Sequence, residues 1–164
     1  MQPSDGTAAL SSPPREALVA WRVFFECALA LPDVLDAELR EAGKLSLRWY
    51  DVLVSLEDAA DGVPMTELAN RILASKSGLT RVIDKMAADG LVRREPRPGD
   101  RRVVLVRITE AGRRALEDSR AVHRDGIRRH FVELLTDDEI AQIAAVLEKV
   151  RAHARPLRPG RLRG

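Results

Sequence analysis

Apolar residues recur at helical spacing from Arg15 to about Asp89, alternate with period two over residues 91–95 and 103–108, and return to helical spacing after Glu110. That change of period constrains the fold more than any other feature. It sets one β-hairpin inside an otherwise helical chain, which predicts a mainly α, α+β molecule. In the first helix, Leu18, Trp21, Phe25, Ala28 and Leu29 form an apolar stripe. Pro32 is expected to interrupt or kink that helix before Val34, Leu35 and Leu39 resume the stripe as far as Gly43. A second helix is expected over 47–58 with Trp49, Leu53 and Leu56 inward, followed by a turn at 61–64. Thr66 then caps a short third helix over 67–73. Ser75 or Ser77 opens a fourth helix that runs to Asp89 and stops at Gly90, a left-handed cap. Its buried stripe is Leu79, Val82, Ile83 and Met86, and its opposite side shows Ser77, Arg81, Asp84, Lys85 and Ala88.

Between the two strands lies the loop 96–102, PRPGDRR, with three arginines. Thr109 caps a long fifth helix over 110–135. Thr136 and Glu139 form a capping box that starts a sixth helix, with Ile140, Ile143, Val146, Leu147 and Val150 apolar. Residues 1–14 and 154–164 are rich in Pro, Gly, Ser or Arg and read as loose tails, the second of them basic.

Charge is distributed unevenly over the 164 residues. The formal total is +2, yet residues 1–65 hold 5 basic and 11 acidic side chains, residues 66–114 hold 12 and 6, and the remainder hold 10 and 8. A net of +6 over 49 residues is the footprint of a module that lies on phosphates, although a solvated helical face gives a similar count. One cysteine excludes an internal disulfide framework and fits a reducing compartment. No apolar run approaches the roughly 18 residues of a membrane span. A cytoplasmic protein without a membrane partner is therefore expected. No His-Glu-x-x-His, Gly-x-Gly-x-x-Gly, P-loop or Gly-x-Ser-x-Gly string occurs, so no enzyme class is indicated and no cofactor is expected.

Two short helices joined by a tight turn and followed by a two-stranded hairpin describe a winged helix-turn-helix, here over 46–112. The fourth helix has the width to enter a major groove with short polar and Arg side chains on base edges. Ser75, Lys76 and Ser77 at its start offer hydroxyls, an ammonium and free amides to a phosphate, and Arg81 and Lys85 share an exposed face. Arg97, Arg101 and Arg102 sit on a loop able to enter the minor groove, while Arg101 or Arg102 is also placed to pair with Asp100. One wing arginine structural and another on DNA is the expectation, without an assignment of which.

The chain resembles the MarR family of transcriptional regulators. The resemblance is carried by Leu68 and Ala69, SGLTR at 77–81, GLVRR at 90–94, DRR at 100–102 and VRITEAG at 106–112, and it extends over roughly 15–153. It implies a homodimer whose flanking helices, residues 15–45 and 113–153, interlock, with each lobe reading half of an inverted-repeat operator in double-stranded DNA. The implied role is a repressor released by a small aromatic or organic-acid effector. The implied DNA set is Ser75, Lys76, Ser77, Thr80, Arg81, Lys85, Arg94, Arg97, Arg101 and Arg102. Independently, the first, fifth and sixth helices carry more apolar surface than a lobe of that size covers, as an isologous dimer requires.

Trp21, Phe25, Arg48, Trp49 and His123 are the candidate effector contacts, against the plainer reading that aromatics at helical spacing are core. Cys27 invites comparison with relatives that sense peroxides, but a buried free cysteine also serves as a small hydrophobe. His123 and His130, seven apart, make a weak zinc pair, and no metal site is expected. A winged helix used for protein–protein assembly and a thiol sensor acting through Cys27 stand as alternative functions.

Overall fold

A computed structural model describes residues 12–72 and 76–154; Ser75 and the side chains of Lys76 and Ser77 lie outside the described residues. So do both tails, save 12–14 and Ala154, and Ala154 closes the last helix. In chain order the elements are α1 (Arg15–Glu41), α2 (Leu47–Glu57), β1 (Val63–Pro64), α3 (Met65–Arg71), α4 (Lys76–Ala88), β2 (Val92–Arg97), β3 (Asp100–Ile108), α5 (Glu110–His130), a 3-10 turn (Val132–Leu134) and α6 (Asp137–Ala154). The expected order of helices and hairpin is present, and the winged-helix architecture is the one read from the sequence.

Local chemistry sets most of the boundaries. Ser46 caps α2, its Oγ accepting from Trp49 N at 3.4 Å, and Thr109 caps α5, its Oγ1 accepting from Gly112 N at 3.0 Å. At the start of α6, Glu139 accepts from Thr136 N at 2.8 Å while Thr136 Oγ1 accepts from Glu139 N at 3.3 Å. Gly90 adopts φ +73°, and Leu91 N donates back to Met86 O at 2.9 Å, closing α4.

Four boundaries differ from the sequence reading. Pro32 does not interrupt α1, which stays helical on both sides of it, the ring costing the N–H donor of one helical hydrogen bond. Two compact units divide just beyond it, between Val34 and Leu35. Val63 and Pro64 form an edge strand rather than a turn, pairing with Val106 and Leu105. An edge tolerates proline because the missing N–H faces no partner. Consequently α3 begins at Met65, its cap position is Pro64, and Thr66 does not cap it. The strands of the wing run through most of the expected loop, leaving Pro98 and Gly99 as the turn, with a bulge between Pro96 and Arg97. Finally, α5 ends at His130, and the 3-10 turn occupies the stretch read as its last turn.

The core of the second unit gathers Leu53 and Leu56 of α2, Leu68 of α3, Leu79, Ile83 and Met86 of α4, Val106 of β3 and Leu116 of α5, all buried. Val63 and Val92 close it from the flanking strands. Beyond this core, the C-terminal half of α1 is fastened to α5. Glu38 accepts from His130 Nε2 at 2.7 Å and pairs with Arg129 at 2.9 Å, and this pairing holds its carboxyl below the usual carboxylate range. Gly126 makes that crossing possible, since a Cβ there would stand 2.6 Å from a Leu35 methyl.

Candidate nucleic-acid interface

The helix α4 is anchored by Leu79, Ile83 and Met86, so its remaining faces are set by rotation about that stripe. Arg81 is exposed and holds no ion pair among the described residues. Asp84, one turn further along, binds the guanidinium of Arg94 on β2 and so ties α4 to the wing. Thr80 is half-buried and borders a hollow of about 310 Å3 together with Thr66, Arg94 and Arg102.

In the wing, Asp100 Oδ1 accepts from Arg102 N at 3.1 Å and from Arg102 Nε at 3.2 Å. Arg102 is thus the arginine that pairs with Asp100, a division the sequence left open. Arg97 and Arg101 are exposed and hold no ion pair among the described residues. Behind the wing, Glu95 pairs with Arg93 at 2.7 Å and with Arg107 at 2.9 Å, and Arg107 also donates to the Ala60 carbonyl. Sequence reasoning missed this network because Arg107 meets Ala60 across 47 positions of chain.

Lys85 is placed differently from Arg81. It lines a cleft of about 550 Å3 with Arg40, Lys44, Leu45, Trp49, Asp118 and Ser119 among others. Of the five expected effector contacts only Trp49 borders this cleft. Arg48 is exposed and absent from its lining. His123 packs against Tyr50 with ring centroids 4.2 Å apart and the planes tilted, and burial pushes its imidazole below the ordinary value. Trp21 and Phe25 belong to the first unit, where their rings stack 5.9 Å apart on α1. Cys27, read as a buried small hydrophobe, is exposed in the single chain. The cleft's other residues come from four separate segments, which hides them from motif reading. Only Ala115, Asp118 and Ser119 share a recognisable helical spacing.

A core-anchored helix presenting arginine beside an arginine-tipped hairpin defines a winged-helix DNA-binding module. The comparisons with known proteins agree: residues 44–103 match the pattern of the MarR family. The multiple antibiotic resistance protein MarR of Escherichia coli is 33% identical over 101 residues, covering 62% of this chain and 69% of that protein. This chain belongs to the MarR family of transcriptional regulators. Among solved structures, the MarR-family regulator Sco3205 of Streptomyces coelicolor, in complex with DNA, superposes with a TM-score of 0.80 at 27% identity, covering 91% of this chain and 96% of that one. CouR of Rhodococcus jostii RHA1, bound to p-coumaroyl-CoA, gives 0.66 at 28% identity, over 88% and 95%. Among the described residues no helix is long and apolar enough to cross a membrane.

Proposed function

We propose that this protein is a homodimeric repressor that binds an inverted-repeat operator and leaves it when a small organic anion is bound. The observation that carries the DNA reading is the division among the arginines. Arg94 and Arg102 are neutralised by Asp84 and Asp100, whereas Arg81, Arg97 and Arg101 stand exposed on the helix and wing with no ion pair among the described residues. In this reading Ser77, Thr80 and Arg81 lie over bases, Ser75 and Lys76 hold phosphate at the start of α4, and Arg97 and Arg101 enter the minor groove.

The dimer reading is supported by apolar side chains that a single chain leaves in water. Leu18, Trp21, Phe25 and Leu29 on α1, and Val146, Leu147 and Val150 on α6, are all exposed. Each of these two apolar faces, taken by itself, suits an interface between two copies. The effector reading is supported by the cleft beside Trp49 and by the ligand-bound relative CouR. Trp49, Leu45 and Ala115 give it an apolar wall, and Lys44 and Lys85 give it positive charge.

The test is selection of bound duplexes from random or genomic DNA with the purified full chain, followed by gel-shift titration. Enrichment of an inverted repeat, bound with steep salt dependence, is the expected result. No enrichment, with weak binding insensitive to salt, would replace this reading with that of a winged helix serving protein assembly.

A further inference from the structure

We infer that Lys85, although carried on the reading helix, is not a DNA ligand but the residue through which an anion in the Trp49 cleft acts on that helix. The inference rests on the effector reading above and adds to it a named coupling residue.

Three cations border the cleft, and they are not equivalent. Arg40 is already engaged, its Nε 2.5 Å from Asp36 Oδ2, while the other oxygen of Asp36 accepts from Leu47 N at 2.8 Å. Lys44 and Lys85 hold no ion pair among the described residues, and Asp118 is the single carboxylate of the lining. Of the neutral donors, the Ser119 hydroxyl donates to Ala115 O at 2.8 Å, and the amides of Leu47 and Trp49 at the start of α2 go to Asp36 Oδ1 and Ser46 Oγ. The Ser46 hydroxyl and the Trp49 indole N–H face the same cleft as neutral donors. The positive charge left for an anion is the pair of ammonium groups, against an indole and an aliphatic wall.

These two ammonium groups sit on different parts of the chain. Lys44 lies in the short connection between α1 and α2, whereas Lys85 lies in the last turn of α4. An anion gripped by both therefore links the reading helix to the base of the lobe. A ligand shifts an equilibrium only through a difference in its affinity for the two states. A grip shared between Lys44 and Lys85 supplies that difference, because it depends on where α4 stands. Asp84, the residue before Lys85, is the one that ties α4 to Arg94 of the wing, so a pull on Lys85 acts next to the helix–wing tie.

The experiment uses the full chain, a duplex carrying the selected operator, benzoate as the probe and benzamide as its uncharged control. Trp49 fluorescence is read in a Trp21→Phe protein, since the chain has two tryptophans. Benzoate, and not benzamide, should quench Trp49 and release the operator from the wild type. Lys85→Gln should bind the operator within about twofold of wild type and with the same salt slope, yet need at least tenfold more benzoate for release, and Lys85→Arg should restore the response. A salt slope shallower by about 0.9 in Lys85→Gln would make Lys85 a phosphate ligand and overturn the inference. Release of Lys85→Gln at the wild-type benzoate concentration would also overturn it while leaving the effector reading standing. Benzoate that neither quenches Trp49 nor releases the wild type would remove both.

Discussion

Arginines of like charge in and beside the wing differ in what already holds them. Arg102 reaches Asp100 through its side chain and its backbone N–H, whereas Arg101 next to it is exposed with no ion pair among the described residues. Arg101→Ala should therefore weaken operator binding at least tenfold, the loss of about 1.4 kcal/mol expected of a good groove contact. Arg102→Ala should cost less than about threefold, because an exposed ion pair is worth little and the backbone bond to Asp100 survives. Gel-shift titration decides, and equal losses would show that Asp100 does not separate the two. His123 gives a second expectation at this scale. Burial beside Tyr50 lowers its pKa below 6.5, so the unfolded chain takes up the proton first as pH falls. Stability is therefore full above about pH 6.5 and declines below it, until the pH passes the folded value. Urea midpoints compared between pH 7.5 and 5.5 should fall less in His123→Phe than in wild type, and an identical fall would assign the effect to other groups.

Elements were legible in the sequence wherever a boundary is written within one turn of the chain. The capping bonds of Thr109, of Thr136 with Glu139, and at Gly90 each span no more than five positions, and each stands where it was expected. The strand Val63–Pro64 was hidden because its partners, Val106 and Leu105, lie some forty positions on and supply the reason for its extension. The cleft beside Lys85 was hidden for a related cause. Spacing put Lys85 on the face of Arg81, but its fellow lining residues Arg40, Trp49 and Ser119 lie 34 to 45 positions away on other helices, out of reach of any local pattern. Two glycines show the same contrast in a testable form. At Gly90 the φ of +73° opens on empty space, so Gly90→Ala carries only backbone strain, about 1 kcal/mol. At Gly112 a Cβ would stand 2.1 Å from the Leu91 carbonyl oxygen, where α5 leaves the wing. Gly112→Ala must push backbone apart and should cost about 3 kcal/mol, read as a drop in unfolding free energy clearly larger than that of Gly90→Ala. Similar losses would mean that this junction yields more easily than a backbone contact so short implies.

For the whole molecule, exposed apolar surface and separated charge make one connected expectation. Fully burying a single Leu, Val or Phe side chain is worth about 1.5–3 kcal/mol. The seven exposed apolar residues of α1 and α6 named above therefore represent a large stabilisation that a lone chain forgoes. If a second copy covers them, the reading lobes are doubled together with their cations. Lys76 on phosphate and Arg97 and Arg101 in the phosphate-walled minor groove bring about six cations from two lobes, and if each displaces one counterion, log affinity should fall against log salt with a slope of about −5. Leu147→Asp places a charge on the exposed face of α6, where a single chain gives it water but a dimer does not. Sedimentation should show the wild type at twice the mass of this variant, while far-UV circular dichroism stays alike. Operator binding measured by anisotropy should weaken strongly in the variant, and its residual salt slope should fall to about half, since one lobe then contacts one half-site. A variant that sediments as a monomer yet keeps the full slope would show that one chain supplies all the phosphate contacts, and the two-lobed reading would fall with it.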